Sequence, residues 1–149
     1  MKIFMGADHR GFELKNQIRE HLAHQEGYEV EDEGALSHEP GDDYPKYAYM
    51  VATKVLGEED PVFGILICGS GQGMAIAANK MNGMRAALAW SPAVARAARH
   101  DDNANILVLA SDMIDTDTAL AIVDDFLQEK FSGDDSDKRR IQQIEEIYG

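Results

Sequence analysis

"GILICGSGQGMAIAANK", residues 64–80, runs from an apolar stretch into three glycines within five positions. Extended back to Val62, the run "VFGILIC" is apolar throughout, the pattern of a central strand covered on both faces. "MAIAANKM" then reads as the helix that follows it. A buried strand, a glycine turn and a helix make half of a βαβ unit, and this decides the fold class.

The same alternation extends in both directions. "KIFMG" (2–6) reads as a first strand. "FELKNQIREHL" carries Leu14, Ile18 and Leu22 at helical spacing. "YEVEDEG" (28–34) alternates like a strand, and Pro45 opens a helix with Asp43 or Tyr44 just outside it. "MRAALAW" (84–90) is the next strand, and "SPAVARAARH" begins a helix capped by Ser91 with Pro92 at its first position. "NILVLAS" (105–111) is the fifth strand. In the helix after it, Ala119, Ile122, Val123, Phe126 and Leu127 share one stripe. Strands alternating with helices predict an α/β fold, a three-layer α/β/α sandwich around a Rossmann-like five-stranded parallel sheet. A terminal helix over about 136–148 has a thin stripe of Ile141, Ile144 and Ile147. Docking on a partner subunit and packing on its own domain both fit that stripe.

With 149 residues and no long linker, one domain spanning 1–149 is expected. A formal net charge of −13 argues against nucleic acid as a partner, because phosphates need a basic face. It also means that an anionic ligand must be attracted by local groups. Cys68 is the only cysteine, which excludes an intrachain disulfide. No stretch has the length of a membrane span, and the start has no secretory pattern, so a cytoplasmic location is expected.

Cys68 ends the apolar strand, and ligands of open α/β sheets bind beyond that edge. Gly69, Gly71 and Gly73 let backbone approach a ligand closely, and amides at a helix start hold anions. The spacing is neither a dinucleotide fingerprint nor a P-loop. An ordinary thiol is almost wholly protonated at neutral pH, and aimed amides stabilise its thiolate. Such a thiolate serves as nucleophile or as base, and the residues alone leave both open.

"GADHRGFELK" (6–15), "DYPKYA" (43–48), "GILICGSGQGMAIAANK" (64–80) and "MRAAL" (84–88) resemble the ribose-5-phosphate isomerase B family, which includes the galactose-6-phosphate isomerase subunits. The resemblance covers nearly the whole chain. It implies an aldose–ketose isomerase of carbohydrate metabolism, acting in the pentose phosphate pathway without metal or organic cofactor. It also implies a homodimer or homotetramer with active sites between subunits. Cys68 would be the base that moves a proton between C1 and C2, with Ser70 moving the hydroxyl proton. The amides around Gly69, Gly71 and Gly73 would hold the enediolate. Asp8, His9 and Tyr44 match pocket residues that contact the sugar and its phosphate end.

Three positions depart from the family pattern. Asp101 falls where a ring-opening histidine is typical, with His100 displaced by one, so both are candidates for that role. Asp112 stands where the family often has a phosphate-binding arginine, and a carboxylate there would repel a dianion. Near the C-terminus Ser136 replaces one arginine, and Arg140 keeps the other. The leading expectation is isomerisation of ribose 5-phosphate to ribulose 5-phosphate. The alternatives are an isomerase of an unphosphorylated or different sugar, and a sugar-binding homologue without catalysis.

Overall fold

The computed structural model describes residues 1–59 and 61–149. Its strands are β1 (Lys2–Ala7), β2 (Glu29–Asp32), β3 (Val62–Cys68), β4 (Ala86–Leu88) and β5 (Ile106–Ala110). The helices are α1 (Phe12–Ala23), α2 (Tyr44–Gly57), α3 (Gln72–Ala78), α4 (Pro92–Asp102), α5 (Thr116–Gln128) and α6 (Asp135–Tyr148). All strand pairs are parallel, in the order β2-β1-β3-β5-β4. The α/β sandwich expected from the sequence is therefore present.

Alternation along β3 sends its two faces into two cores. Phe63, Ile65 and Ile67 pack with α1, α4 and α5 residues, among them Ile18, Ala95 and Phe126. Val62, Leu66 and Cys68 pack with Val51 of α2 and Met74 of α3. Every residue of β3 is buried, as its unbroken apolar run demands. The α5 stripe Ala119, Ile122, Val123, Phe126 and Leu127 is likewise wholly buried.

Boundaries shift where side chains compete for backbone groups. α3 begins at Gln72 and stops at Ala78, because Asn79 turns its amide onto the edge strand. Asn79 Oδ1 accepts from Ala86 N at 2.8 Å, and its Nδ2 donates to Ala86 O at 2.9 Å. β4 is only three residues long, since Arg85 N is claimed by the Asn105 side chain at 2.8 Å. Ser91 caps α4 by accepting from Val94 N, with Pro92 at the first turn, as its sequence indicates.

α6 lies along the β4 side. Glu145 meets Arg85 at 3.5 Å, and a cavity of about 400 Å³ lined by Ala86, Ala98, Ile144 and Tyr148 separates helix from body. Ile144 and Ile147 are 47% and 68% exposed in the single chain. Among the described residues, no helix is long and apolar enough to cross a membrane.

Candidate active site

Because β1, β3 and β5 are neighbours in the sheet, the loops after them share one edge. The sheet changes winding direction between β1 and β3, the place where such folds bind ligands. The three loops carry Asp8 to Gly11, Gly69 to Gly71, and Ser111 with Asp112.

Cys68 is 4% exposed and faces α2 and α3. Its carbonyl accepts from Ser111 N at 3.0 Å, which fixes the strand end against the β5 loop. Ser111 Oγ lies 2.9 Å from Arg10 O and 3.2 Å from Cys68 O, so one hydroxyl links all three loops. Gly71 has φ 74°, the left-handed region, and a Cβ there would strike Leu88. That turn leads into α3, whose first-turn amides have no carbonyl within the helix to bond. Ser70, half-buried, accepts from Gln72 N at 3.4 Å and tightens the turn.

The register Ala7↔Ile67 carries Asp8 alongside Cys68. Asp8 is 5% exposed, and its Oδ1 accepts from Arg10 N and Gly11 N, both at 3.0 Å. This loop then projects His9 and Arg10 over the edge. Tyr44, at the start of α2, lays its ring on Gly73, where a Cβ would come within 2.5 Å of its Cζ. Asp8, His9, Tyr44, Ser70 and the three glycines thus lie at the same edge of the sheet as Cys68.

Three residues at this edge escape a reading by sequence. Asp42, with its side chain only 3% exposed, accepts from His9 N at 2.8 Å and meets His9 Nδ1 at 2.9 Å. Tyr47 donates to its other oxygen at 2.8 Å. Burial pushes the Asp42 carboxyl up, but the His9 and Tyr47 bonds outweigh it and hold the group below the usual carboxylate value. Asp42 thereby fixes which ring nitrogen of His9 faces outward. Lys15 is fully buried, although a lysine beside an apolar stripe reads as solvated. Its Nζ donates to Asp32 Oδ1 at 2.6 Å and to Ala35 O, anchoring the segment that leads to Asp42. Desolvation lowers its pKa despite the Asp32 charge.

The third is Arg10, and it corrects the expectation about Asp112. That carboxylate is not alone, because it forms an ion pair with Arg10 Nη2. The guanidinium lies over Gly69, where any side chain would collide with it. The local repulsion expected from Asp112 is therefore largely neutralised by an adjacent cation.

His100, Asp101 and Arg140 lie elsewhere. α4 returns the chain from the far end of β4 to the start of β5, so its last turn sits at the opposite edge of the sheet. There Asp101 accepts from His100 Nδ1 at 2.7 Å. This bond, above all, raises the His100 pKa from its ordinary value, and the charges of Asp101, Glu129 and Asp137 add to it. Ser132 N donates to His100 O at 2.9 Å, while Ser132 Oγ donates to Asp137 at 2.8 Å. Arg140 binds the same Asp137 at 2.9 Å, so the start of α6 is tied to the end of α4. One chain does not bring this cluster to its own Cys68. Among the described residues, no group of three or more His, Cys, Asp or Glu side chains is placed to hold a metal ion.

Known proteins share this fold. The ribose-5-phosphate isomerase B of Thermotoga maritima, a crystal structure, is 48% identical, with a TM-score of 0.90 and 97% of each chain covered. That of Mycoplasma genitalium, determined with bound ribulose-5-phosphate, is 43% identical with a TM-score of 0.93, covering 98% of this chain and 95% of that one. Ribose-5-phosphate isomerase B of Mycobacterium tuberculosis is 42% identical over 146 residues, which is 98% of this chain and 89% of that protein. A family model described as Ribose/Galactose Isomerase matches residues 3–144, a span that takes in the β1 loop, the cysteine–glycine turn and most of α6. With a family model matching most of its length and relatives 42–48% identical over nearly the whole chain, this chain belongs to the ribose/galactose isomerase family.

Proposed function

We propose that this protein interconverts ribose 5-phosphate and ribulose 5-phosphate. The observation that carries the reading is Cys68, held at the end of the central strand beside Asp8 and beneath a glycine turn with open amides. The names of the relatives support it, as does the ribulose-5-phosphate bound by the Mycoplasma genitalium protein.

In the proposed step, the Cys68 thiolate takes the C2 proton of the open-chain aldose. The C2–H electron pair forms the C1–C2 double bond, and the carbonyl electrons move to O1. Amides of the Gly69–Gly73 turn hold the resulting enediolate, where charge has developed and water is scarce. Ser70 relays the hydroxyl proton from O2 to O1, and Cys68 returns the carbon proton at C1. The step balances as one hydrogen moved from C2 to C1 and one from O2 to O1. Asp8, His9 and Tyr44 bind the sugar.

Ring opening needs an acid or base at the ring oxygen, and His100 and Asp101 supply it from a second copy, along with Arg140. The split of these residues between two sheet edges supports a homodimer with shared sites, or a homotetramer built from such dimers. The half-exposed Ile144 and Ile147 support docking of α6 on the partner, each chain remaining one domain. A phosphorylated pentose is held inside cells by its charge, which supports a cytoplasmic location and a place in the pentose phosphate pathway.

Incubation with ribose 5-phosphate in deuterated water, followed by NMR, should show ribulose 5-phosphate and exchange of the migrating hydrogen. A far higher kcat/KM on free D-ribose than on its phosphate would sink the sugar-phosphate reading. The pH profile offers a second check. The Asp101 carboxylate keeps His100 protonated to higher pH, so imidazolium acting on the ring oxygen loses activity only above its raised pKa. Asp101→Asn removes that support and should move the alkaline fall in kcat/KM to lower pH. An unmoved limb excludes His100 as the ring-opening acid.

A further inference from the structure

We propose that Arg10 binds the anionic end of the substrate, with Asp112 as the positioning residue that holds its guanidinium over Gly69. The inference rests on the reading of this edge as a sugar-phosphate site. It adds a specificity-determining residue from the β1 loop.

The charges at the edge set the need. Asp8, Asp42 and Asp112 place three carboxylates at the sheet edge that carries Cys68, in a chain of net charge −13. Asp8 is committed to backbone amides and Asp42 to His9 and Tyr47. A phosphate dianion entering here needs a local cation strong enough to outweigh that field. Among the described residues, Arg10 is the arginine whose contacts place it against the cysteine–glycine turn. Arg140 lies at the other edge of the same chain.

The geometry of Arg10 suits a ligand better than a staple. The β1 and β5 loops are already joined by Ser111 Oγ at Arg10 O, and Asp112 N donates to Gly69 O at 3.0 Å. A half-exposed ion pair adds little further stability. Yet the side chain is 55% exposed, and its bond to Asp112 is made through Nη2. That bond takes one of the two Nη2 protons, so the planar fork keeps one paired edge, the second Nη2 proton with Nη1 or with Nε, for a tetrahedral oxyanion. Gly69 leaves the space that the guanidinium occupies, so the turn beside Cys68 is shaped around this cation. Asp112 restricts the long side chain before the ligand arrives, which reduces the entropy lost on binding.

The test compares wild type with Arg10→Gln, Arg10→Lys and Asp112→Asn on ribose 5-phosphate and on D-ribose. Inorganic phosphate serves as the competing probe. Loss of one charge-assisted contact should raise KM for ribose 5-phosphate about ten- to a hundredfold in Arg10→Gln, with kcat changed far less. The inhibition constant for inorganic phosphate should rise in parallel, and kcat/KM on D-ribose should stay within about twofold. Arg10→Lys keeps the charge but loses the fork, and should recover part of the affinity. Asp112→Asn should raise KM by a smaller factor. A KM for ribose 5-phosphate in Arg10→Gln within twofold of wild type overturns the proposal while leaving the isomerase reading intact. So does an equal loss on D-ribose, which would mark a structural role. Wild type inactive on ribose 5-phosphate defeats the isomerase reading instead. An NMR titration with inorganic phosphate then judges Arg10 directly: weaker binding by Arg10→Gln supports it, and equal binding overturns it.

Discussion

Cys68→Ala is expected to fold, to bind ribose 5-phosphate and to turn it over at least about a thousandfold more slowly, the scale on which a central acid–base group contributes. Folding should survive because the change removes one sulfur atom from a buried position, and small deletions in a core cost about 1 kcal/mol. Binding should survive because Asp8, His9, Tyr44 and Arg10 are placed by other elements and do not depend on the thiol. Cys68→Ser tests the chemistry more sharply. It restores a polar atom of nearly the same shape, but a hydroxyl ionises far less readily than a thiol, so turnover should stay low. Steady-state kcat from the NMR assay, with affinity measured separately by titration, separates the two effects. Turnover of either variant within a few-fold of wild type removes Cys68 from the mechanism.

The second large effect is a recovery. Cys68→Ala spoils the thiol edge, and the double variant His100→Ala, Asp101→Ala spoils the opposite edge. Each variant alone should be nearly inactive, the second losing about a hundredfold or more where enzymic ring opening limits turnover. When the two chains are co-expressed and assemble at random, half of the dimers are mixed. In a twofold dimer with shared sites, one site of each mixed dimer draws both lesions and the other draws none, so about a quarter of wild-type activity should return. No recovery is possible if each chain completes its own site. The structure motivates the test, since α4 carries His100 to the start of β5 while Cys68 sits at the far end of β3. Activity of the mixture equal to the mean of the two parents would defeat the shared-site reading.

The order of the elements is written locally in the chain. Unbroken apolar residues at 62–68 can only be a strand covered on both sides, and they are. Ser91 and Pro92 declare a helix start through one cap bond and one fixed φ, and the stripe from Ala119 to Leu127 declares its buried face. Cys68 is legible as a candidate site residue for the same reason, because ligands of such folds bind beyond the end of such a strand. What the sequence left open depends on pairing across distance. Arg10 and Asp112 are 102 residues apart, and they meet only because β5 inserts next to β3 rather than following β4 at the sheet edge. His9 and Asp42, 33 residues apart, meet because buried Lys15 ties down the segment between β2 and α2. Taken singly, Asp112 reads as a repulsive carboxylate and Lys15 as a solvated cation. Each acquires its opposite meaning from a partner of opposite charge that only the closed sheet delivers. The same topology sends His100 and Asp101 away from their own Cys68, since a right-handed crossover must carry the chain back to the start of the next parallel strand.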